Sequence, residues 1–497
     1  MRKILYIDDT PGNRISYYLL MAFLVTLPFD RIYSELALIG LFLHTLIQVW
    51  PGSGRGSAAG DSRGVGAGVV AGGGMVAGRV FSFRWVGWLV SCLFLIMVVG
   101  TLYAPRFSDA ERHLEKQLAL VLFPWIAWYS PLDWNRVKWP LLKAFALSCF
   151  FTILYLYGCA ISAAPSLSGL FTPEYLNHAF TAPIDIHATY FAMDVAIALV
   201  VVICVGIEAK SLWVKLAYGV MALVFALSIV QLASRAVCLA VLVIVNVLPW
   251  LLLRGRLRLM AVGGYILLSF LLVLLVLRNQ TLYMRYLVSL KQDITVVAGR
   301  QEDPEPRMVR WGCAWELIKA SPWVGYGTGA EVPKLKEKYY AYHLTLSYTH
   351  ELNAHNQYLS YILNVGLPGG LLYIAVLVAG GVVAFRRKDI LSGSFLVVVG
   401  AVSFSENILD TNKGIFFFSL FFILFFYPAM APVGGVAVSG AVVDGAGDGV
   451  VPVAGGEGIP GVAAVGGVAA PMMASAKRSI SSSWGLHWRR KKSTPAS

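Results

Sequence analysis

His355 and Asn356 stand where a long polar segment gives way to an apolar helical run, which places a histidine at a membrane surface. A neutral imidazole there can accept the proton of a hydroxyl group. The preceding segment carries Arg300, Arg307 and Arg310, and the planar fork of arginine matches phosphate oxygens. These residue types in this place predict chemistry on an anionic, lipid-linked substrate.

The composition predicts an all-α, polytopic membrane protein. Mean hydropathy is +0.69, and 58% of the 497 residues are hydrophobic whereas 13% are charged; a soluble domain carries about 25% charged residues. The apolar runs are continuous rather than alternating, which favours helices over a barrel. We predict about twelve transmembrane helices, near residues 15–29, 35–50, 85–103, 116–130, 138–161, 187–207, 212–232, 235–253, 259–277, 357–383, 391–409 and 414–431.

The positions of lysine and arginine predict that the N-terminus lies in the cytoplasm. With twelve spans, basic clusters such as 254–258 and 386–388 fall on the cytoplasmic side, whereas the 164–186 loop holds no lysine or arginine. Residues 278–355 are then one large extracytoplasmic loop. The net charge of +13 reflects this topology, and because the basic residues are scattered among the spans, we do not expect nucleic-acid binding.

The predicted domain organisation has four regions. They are an N-terminal bundle of about nine spans at 1–277 with a Gly-rich cytoplasmic loop at 51–84, the large loop at 278–355, C-terminal transmembrane helices at 356–431, and a low-complexity cytoplasmic tail at 432–497. Inside the large loop we predict an amphipathic helix that begins near Arg307 and ends before Pro322, a glycine-rich turn at 325–329, and a second helix near 330–343. The loop has no cluster of Asp and Glu typical of a metal site, so no metal or cofactor is expected.

Several short motifs occur in a fixed order along the chain. They are Ser234-Arg235 at the start of a span, Arg307 four residues before Trp311, His355-Asn356 followed by Gly366 and Gly369, and Glu406-Asn407 before a Gly-Ile-Phe-Phe run at 414–417. His187-Ala188-Thr189-Tyr190 precedes the middle spans. In this order and spacing, the motifs resemble the O-antigen ligase and polymerase superfamily, bacterial membrane glycosyltransferases that use undecaprenyl-diphosphate-linked glycans. The resemblance covers about residues 185–430, and Ala188 stands where the family often has proline.

The resemblance implies an O-antigen ligase-like reaction, in which a glycan moves from undecaprenyl diphosphate to a hydroxyl of lipid A-core at the periplasmic face of the bacterial inner membrane. The reaction would be metal-independent and inverting. His355 would be the catalytic base, and Arg235 and Arg307 would stabilise the departing diphosphate. The residues expected to contact substrate are Arg300, Arg310, Asn356, His187, Tyr190 and Glu406. The expected partners are the lipid-linked donor, the glycan acceptor and the bilayer.

Each assignment has a structural alternative. Arg235 could be a residue at a helix end that reaches toward the interface, Arg307 could lie on a solvated helix face, and His355 could belong to a helix cap. Glu406 could pair with an arginine such as Arg235, or with Lys413. A glycan polymerase and a protein O-oligosaccharyltransferase would share the chemistry and differ in acceptor. A secondary transporter of a small anion is the alternative from another class, and it predicts charged pairs within spans and inverted repeats.

Overall fold

A computed structural model describes residue 7 and residues 9–50, 84–252, 255–294 and 306–427. Throughout these ranges, helices are the only regular secondary structure. This confirms the all-α prediction, and it follows from the apolar runs, because a backbone without water must satisfy its polar groups within each segment. The predicted site residue Arg300, the predicted tail 432–497 and most of the predicted 51–84 loop lie outside the described residues.

The longer helices follow one another along the chain. They are α1 (Pro11–Thr26), α2 (Arg31–Val49), α3 (Arg84–Thr101), α4 (Phe107–Gln117), α5 (Ala119–Tyr129), α6 (Trp134–Ala163), α7 (Ala188–Glu208), α8 (Leu212–Leu232), α9 (Arg235–Leu252), α10 (Gly255–Arg278), α11 (Arg307–Ala320), α12 (Glu331–Ala341), α13 (Gln357–Arg387), α14 (Ile390–Ser403) and α15 (Asn412–Phe426).

Short helical turns connect these helices. They are Leu167–Phe171, Pro173–Tyr175, His178–Thr181 and Ala182–Ile184 before α7, Gln280–Tyr283, Met284–Val288 and Ser289–Ile294 after α10, Thr345–Thr349 before α13, and Ile408–Asp410 before α15.

Among the described residues, six helices are long and apolar enough to cross a membrane: α2, α6, α7, α8, the part of α10 from Arg258 to Arg278, and α13. Shorter apolar helices lie within α3, α9, α14 and α15. The protein is therefore a multi-pass membrane protein, whereas the count of twelve spans stays a prediction.

Helices α7 and α15 lie in the interior of the bundle. Every residue from 188 to 202 in α7 and from 414 to 426 in α15 is buried, as expected for helices that are apolar on all sides. Phe395 of α14 packs against four rings of α15 at centroid distances of 5.5 to 6.3 Å: Phe417, Phe418, Phe421 and Phe425. Two of the predicted site residues, His187 and Glu406, lie next to the ends of these closely packed helices.

The predicted loop helices are confirmed as α11 and α12. They pack against each other and against the start of α13 through a small separate core: Cys313, Ala314, Leu317, Ile318, Leu335, Tyr339, Ala354 and Leu363. This core fixes the loop residues relative to α13, which begins two residues after His355.

Helix α13 is interrupted at Val365 and Gly366, where the backbone leaves helical conformation. The break falls just before Pro368 because a proline ring clashes with the preceding turn of a helix. The carbonyl of Leu363 accepts the N–H of Tyr326 at 2.9 Å, and the amide of Leu367 donates to the carbonyl of Pro322 at 2.8 Å. The glycine-rich turn thus satisfies backbone groups that the break exposes.

Gly366 makes this contact possible. Its φ of +71° is rarely adopted by other residues, and a Cβ atom there would overlap the backbone of Trp323 and lie 2.7 Å from the nitrogen of Val324. The glycine therefore allows the loop backbone to lie directly against the broken helix.

Candidate functional site

Three side chains from distant parts of the sequence meet at the loop side of the bundle. Nδ1 of His355 lies 3.1 Å from Oε2 of Glu406, and Nη2 of Arg307 lies 3.5 Å from Oε1 of the same carboxylate. Nη1 of Arg307 also donates to the carbonyl of Ser405 at 2.7 Å. His355 precedes α13, Arg307 is the first residue of α11, and Glu406 lies between α14 and α15, so the fold brings together three separate parts of the chain.

Glu406 is the acceptor that holds the other two groups. Burial would raise the pKa of this carboxyl, but the hydrogen bond from His355 and the charges of His355, Arg307 and His187 outweigh it and hold the pKa below its usual range. An ionised carboxylate accepts hydrogen bonds only. His355 therefore carries a proton on Nδ1, an assignment that follows from the bond pattern, and its Nε2 is left to accept a proton. The imidazole remains 27% exposed, so a substrate can reach it.

The backbone of His355 is held in an unusual conformation. Its φ is +47°, in the left-handed region, which costs about 1–3 kcal/mol in a residue other than glycine. Hydrogen bonds on both sides maintain it. The N–H of Ala354 donates to Glu331 Oε1 at 2.9 Å, and the N–H of His355 donates to Asn353 Oδ1 at 3.0 Å.

The third consecutive N–H, that of Asn356, donates to Oδ1 of Asn407 at 2.7 Å. Nδ2 of Asn407 in turn donates to both oxygens of Glu331 at 3.1 Å and to Oδ2 of Asp410 at 2.7 Å. The hydroxyl of Ser360 donates to Oε2 of Glu331 at 2.5 Å. A buried polar group thus lies directly beneath the candidate base.

Glu331 is the centre of this group. Burial, followed by the negative charge of Asp410, raises the pKa of Glu331 to about 7, although the hydrogen bonds that it accepts act in the opposite direction. Neither Glu331 nor Asp410 was among the predicted site residues. The one signal in the sequence was an acidic residue directly after the glycine turn, in a segment otherwise rich in lysine.

His187 and Tyr190 lie beside this cluster, and their contact with a substrate stays a prediction. His187 caps α7 by accepting the N–H of Thr189 on Nδ1 at 3.3 Å, and its ring lies 5.2 Å from that of Tyr190. The Tyr190 hydroxyl donates to the carbonyl of Asn407 at 3.5 Å. These contacts connect the start of α7 with the turn that carries Glu406.

His187 keeps part of its ring open to solvent, yet the surrounding protein disfavours its charged form. Partial burial by the surrounding protein lowers the pKa of His187. The nearby His178, His355 and Arg307 also lower it, whereas the negative charge of Glu406 raises it. His187 is therefore neutral near pH 7 and can serve as a hydrogen-bonding group.

His178 and Arg285 extend the site and were missed by the sequence analysis. The ring centroids of His178 and His187 are 4.2 Å apart. Burial and the charge of Arg285 lower the pKa of His178, and Glu406 raises it. Arg285 lies in the Met284–Val288 segment, a π-helix, and such turns are frequent at functional sites.

The remaining predicted residues occupy defined places. Arg235 begins α9 and is half-buried, and Arg310 is buried on α11. The side chain of Asn356 caps α13 by accepting the N–H groups of Tyr358 and Leu359 at 3.0 and 3.2 Å. Contacts of these three residues with a substrate stay predictions.

Of the two suggested kinds of partner, Glu406 pairs with an arginine, and that arginine is Arg307. Lys413 instead donates to the carbonyl of Leu27 at 2.6 Å. In the described ranges, no group of three or more His, Cys, Asp or Glu side chains is arranged to hold a metal ion.

The chain was compared with curated proteins and with protein-family models. A search of curated proteins found no match for the chain. Residues 220–374 match a family model described as O-antigen ligase, and this range includes Arg235, Arg307 and His355. This match confirms the resemblance drawn from the motifs over residues 220–374, which carry the pattern of the O-antigen ligase family.

Proposed function

We propose that this protein transfers a glycan from undecaprenyl diphosphate to an acceptor hydroxyl, with lipid A-core as the acceptor, at the periplasmic face of the bacterial inner membrane. The cluster of His355, Glu406 and Arg307 carries the proposal. It combines a base, an orienting carboxylate and a fixed cation at the edge of a membrane bundle.

In the proposed reaction, the acceptor hydroxyl gives its proton to Nε2 of His355 while its oxygen attacks the anomeric carbon. The bond between that carbon and the diphosphate oxygen breaks, and the diphosphate leaves with the electron pair. One direct displacement inverts the anomeric configuration. Glu406 stabilises the imidazolium that forms and keeps the imidazole in the required tautomer, as the carboxylate does in catalytic triads.

The leaving diphosphate needs stabilisation of charge rather than a strong acid. Arg307 is fixed by two acceptors, the carbonyl of Ser405 and the carboxylate of Glu406, and a guanidinium carries five N–H donors in all. A guanidinium held in place by these acceptors can stabilise phosphate oxygens without reorganisation of the side chain. Arg235 is proposed as the second cation, and Arg285 is a further candidate because its charge acts on His178. The proposed mechanism needs no metal ion.

The proposal is tested with purified protein in lipid nanodiscs, a radiolabelled polyprenyl-diphosphate-linked glycan and lipid A-core. Because general-base catalysis contributes about 10²–10⁴-fold, His355→Ala should lose transfer by that factor. His44→Ala is the matched control, since His44 bonds only the carbonyl of Gly12 among the described contacts, and it should keep the wild-type rate. Wild-type transfer by His355→Ala would remove His355 as the base.

Deletion of the gene separates the ligase from its nearest alternative. Bare lipid A-core with accumulated lipid-linked polymer is expected for a ligase. Core that carries a single repeat unit would identify a polymerase instead, and an unaltered surface glycan with defective anion uptake would favour a transporter.

A further inference from the structure

A separate cavity lies between α4 and the loop helix α12. Its volume is about 1000 Å³, and Tyr348, His350 and Glu351 also line it. Ligand sites usually measure about 300–1,000 Å³, so this one has room for several sugar rings. His355, Glu406 and Arg307 are not part of its lining.

The walls of this cavity carry an excess of positive charge. Arg112 is paired with Asp109 at 2.6 Å, and Lys336 is paired with Glu351 at 2.5 Å. Glu337, the third acidic residue of the lining, is paired with Lys334 at 2.9 Å. Arg106 and Lys116 make no ion pair with any residue that the structure describes. Two unneutralised cations in one concave space attract an anionic ligand.

The cavity also presents aromatic faces. The rings of Tyr340 and Tyr348 lie 5.7 Å apart, and Nζ of Lys336 lies 5.1 Å from the centroid of Tyr348. Tyr340 is 71% exposed, so its ring is available to a ligand. Sugar rings present C–H groups that pack on aromatic faces and hydroxyl groups that bond to polar side chains. Aromatic rings beside cations therefore favour an acidic sugar over a simple inorganic anion.

The inner wall of the cavity adjoins the polar group beneath His355. His113 lines the cavity, and its Nε2 lies 3.8 Å from Oδ1 of Asp410. Asp410 accepts a hydrogen bond from Asn407, which holds the N–H of Asn356. The cavity and the candidate base thus lie on two sides of one buried group. A glycan bound in the cavity would have its reacting end elsewhere, so the cavity suits sugars remote from the reacting atoms.

We propose that the cavity between α4 and α12 is a binding subsite for a glycan segment that bears carboxylate or phosphate groups, recognised by Arg106, Lys116 and the tyrosine pair. That this glycan is a substrate rests on the proposed function. Binding of remote sugars can position the reacting end and so contribute to the rate. The acidic groups belong either to the acceptor or to the donor glycan.

Binding is tested first, without any requirement for transfer. Wild-type protein in neutral-lipid nanodiscs is titrated by calorimetry with trigalacturonate, with a phosphorylated pentamannose, and with neutral maltotriose and mannopentaose as controls. The acidic probes should bind and the neutral probes should not. The double variant Arg106→Ala with Lys116→Ala should weaken acidic binding about tenfold, because each exposed cation contributes up to about 1 kcal/mol.

The matched control is Lys319→Ala with Lys338→Ala, which removes the same charge from loop residues outside the cavity. It should leave acidic binding unchanged. Tyr340→Ala should weaken the acidic sugars but not inorganic phosphate. Equal binding of neutral and acidic probes, no binding of either acidic probe, or equal loss in the two double variants would overturn the subsite.

Transfer kinetics then identify the source of the acidic sugars. In the double variant of Arg106 and Lys116, a raised KM for the acceptor assigns the cavity to the acceptor, and a raised KM for the donor assigns it to the donor. If the wild-type protein binds acidic probes through these cations but transfers no glycan, the subsite stands and the proposed function fails. If transfer proceeds and the double variant changes neither KM nor probe binding, the subsite fails and the proposed function stands.

Discussion

The change Glu406→Gln tests the proposed catalytic arrangement with a minimal alteration in shape. In the native protein, one oxygen of Glu406 faces Nδ1 of His355 and the other faces Nη2 of Arg307. Both neighbours can donate, and a carboxylate accepts from both. An amide has one oxygen and one NH₂ group, so in either orientation one neighbour must meet a donor.

The two orientations differ in energy. If the NH₂ group faces Arg307, two donors oppose each other and a bond to a charged group is lost, at about 1.5–3 kcal/mol. If it faces His355, the imidazole can respond by moving its proton from Nδ1 to Nε2 and accepting on Nδ1. The second orientation should therefore predominate by about tenfold or more. It leaves Nε2 protonated and unable to act as a base.

The expected result is a fall in kcat of about 10³–10⁴-fold, the size of effect that a carboxylate-to-amide change has in a catalytic triad. Asp389→Asn is the matched control, because Asp389 pairs with Lys138 in another part of the protein, and it should leave kcat unchanged. Nitrogen-15 NMR of labelled histidines should show one imidazole changing tautomer in Glu406→Gln. Near-wild-type kcat, or a loss of activity without a tautomer change, would refute the reasoning.

Three further changes test other parts of the structure. Arg307→Lys keeps the charge but cannot reach both acceptors of the guanidinium, so kcat should fall about tenfold or more with unchanged folding; a wild-type rate would argue against a clamp on phosphate. Gly366→Ala should destabilise the protein by about 2–4 kcal/mol in thermal unfolding, since its φ is +71° and the backbone of Trp323 fills the space. Gly381→Ala in the same helix has nothing within 4 Å and should be neutral or slightly stabilising, and equal effects of the two changes would contradict the packing argument. Glu331→Gln should alter the pH dependence of stability. The pKa of Glu331 is about 7 in the folded protein and 4.5 ordinarily, so between these pH values the folded protein holds a proton that the unfolded chain releases. The free energy of unfolding of the wild type therefore falls as pH rises through this window, by on the order of 3 kcal/mol. The variant should lack that fall when thermal unfolding is followed from pH 4 to pH 8, and identical pH profiles would show that the carboxyl is not so perturbed.

The sequence was sufficient for much of the helical architecture because local patterns determine it. The apolar runs correspond to helices, and Pro322 and the following glycines separated α11 from α12 as predicted. One helix end was wrong. The predicted span 391–409 includes the apolar Ile408 and Leu409, but α14 ends at Ser403. Those two residues are buried in a separate turn, and hydropathy alone does not distinguish a buried turn from a span.

The site was predictable only where a motif marked it. Four predicted residues, His355, Arg307, Glu406 and His187, lie close together, and their roles in a reaction stay predictions. The sequence did not show which arginine pairs with Glu406, because Arg307 begins α11 and Glu406 lies between α14 and α15. The sequence alone gives no distance between two such positions.

Glu331 shows why the supporting residues were missed. An acidic residue in the first turn of a helix ordinarily interacts with the helix dipole at the surface, and nothing in its neighbourhood suggests burial. Its actual partners lie 23 to 79 residues away, at Ala354, Ser360, Asn407 and Asp410. Long-range packing alone creates such a group.

Two energetically unfavourable features, one in the backbone and one in a side chain, lie close together, and this supports a functional site. His355 holds a backbone conformation that is unfavourable for its residue type, and Glu331 is a buried carboxyl beside a second acid. A buried charged group is often replaceable by apolar residues without loss of stability, so stability alone gives no reason for an acid at position 331. The bond from Ala354 to Glu331 is one of those that hold His355 in its conformation. The unfavourable burial of Glu331 is therefore linked to the orientation of the His355 imidazole. Natural sequences depart from the most stable choice of residue mainly at functional sites, and this arrangement is of that kind.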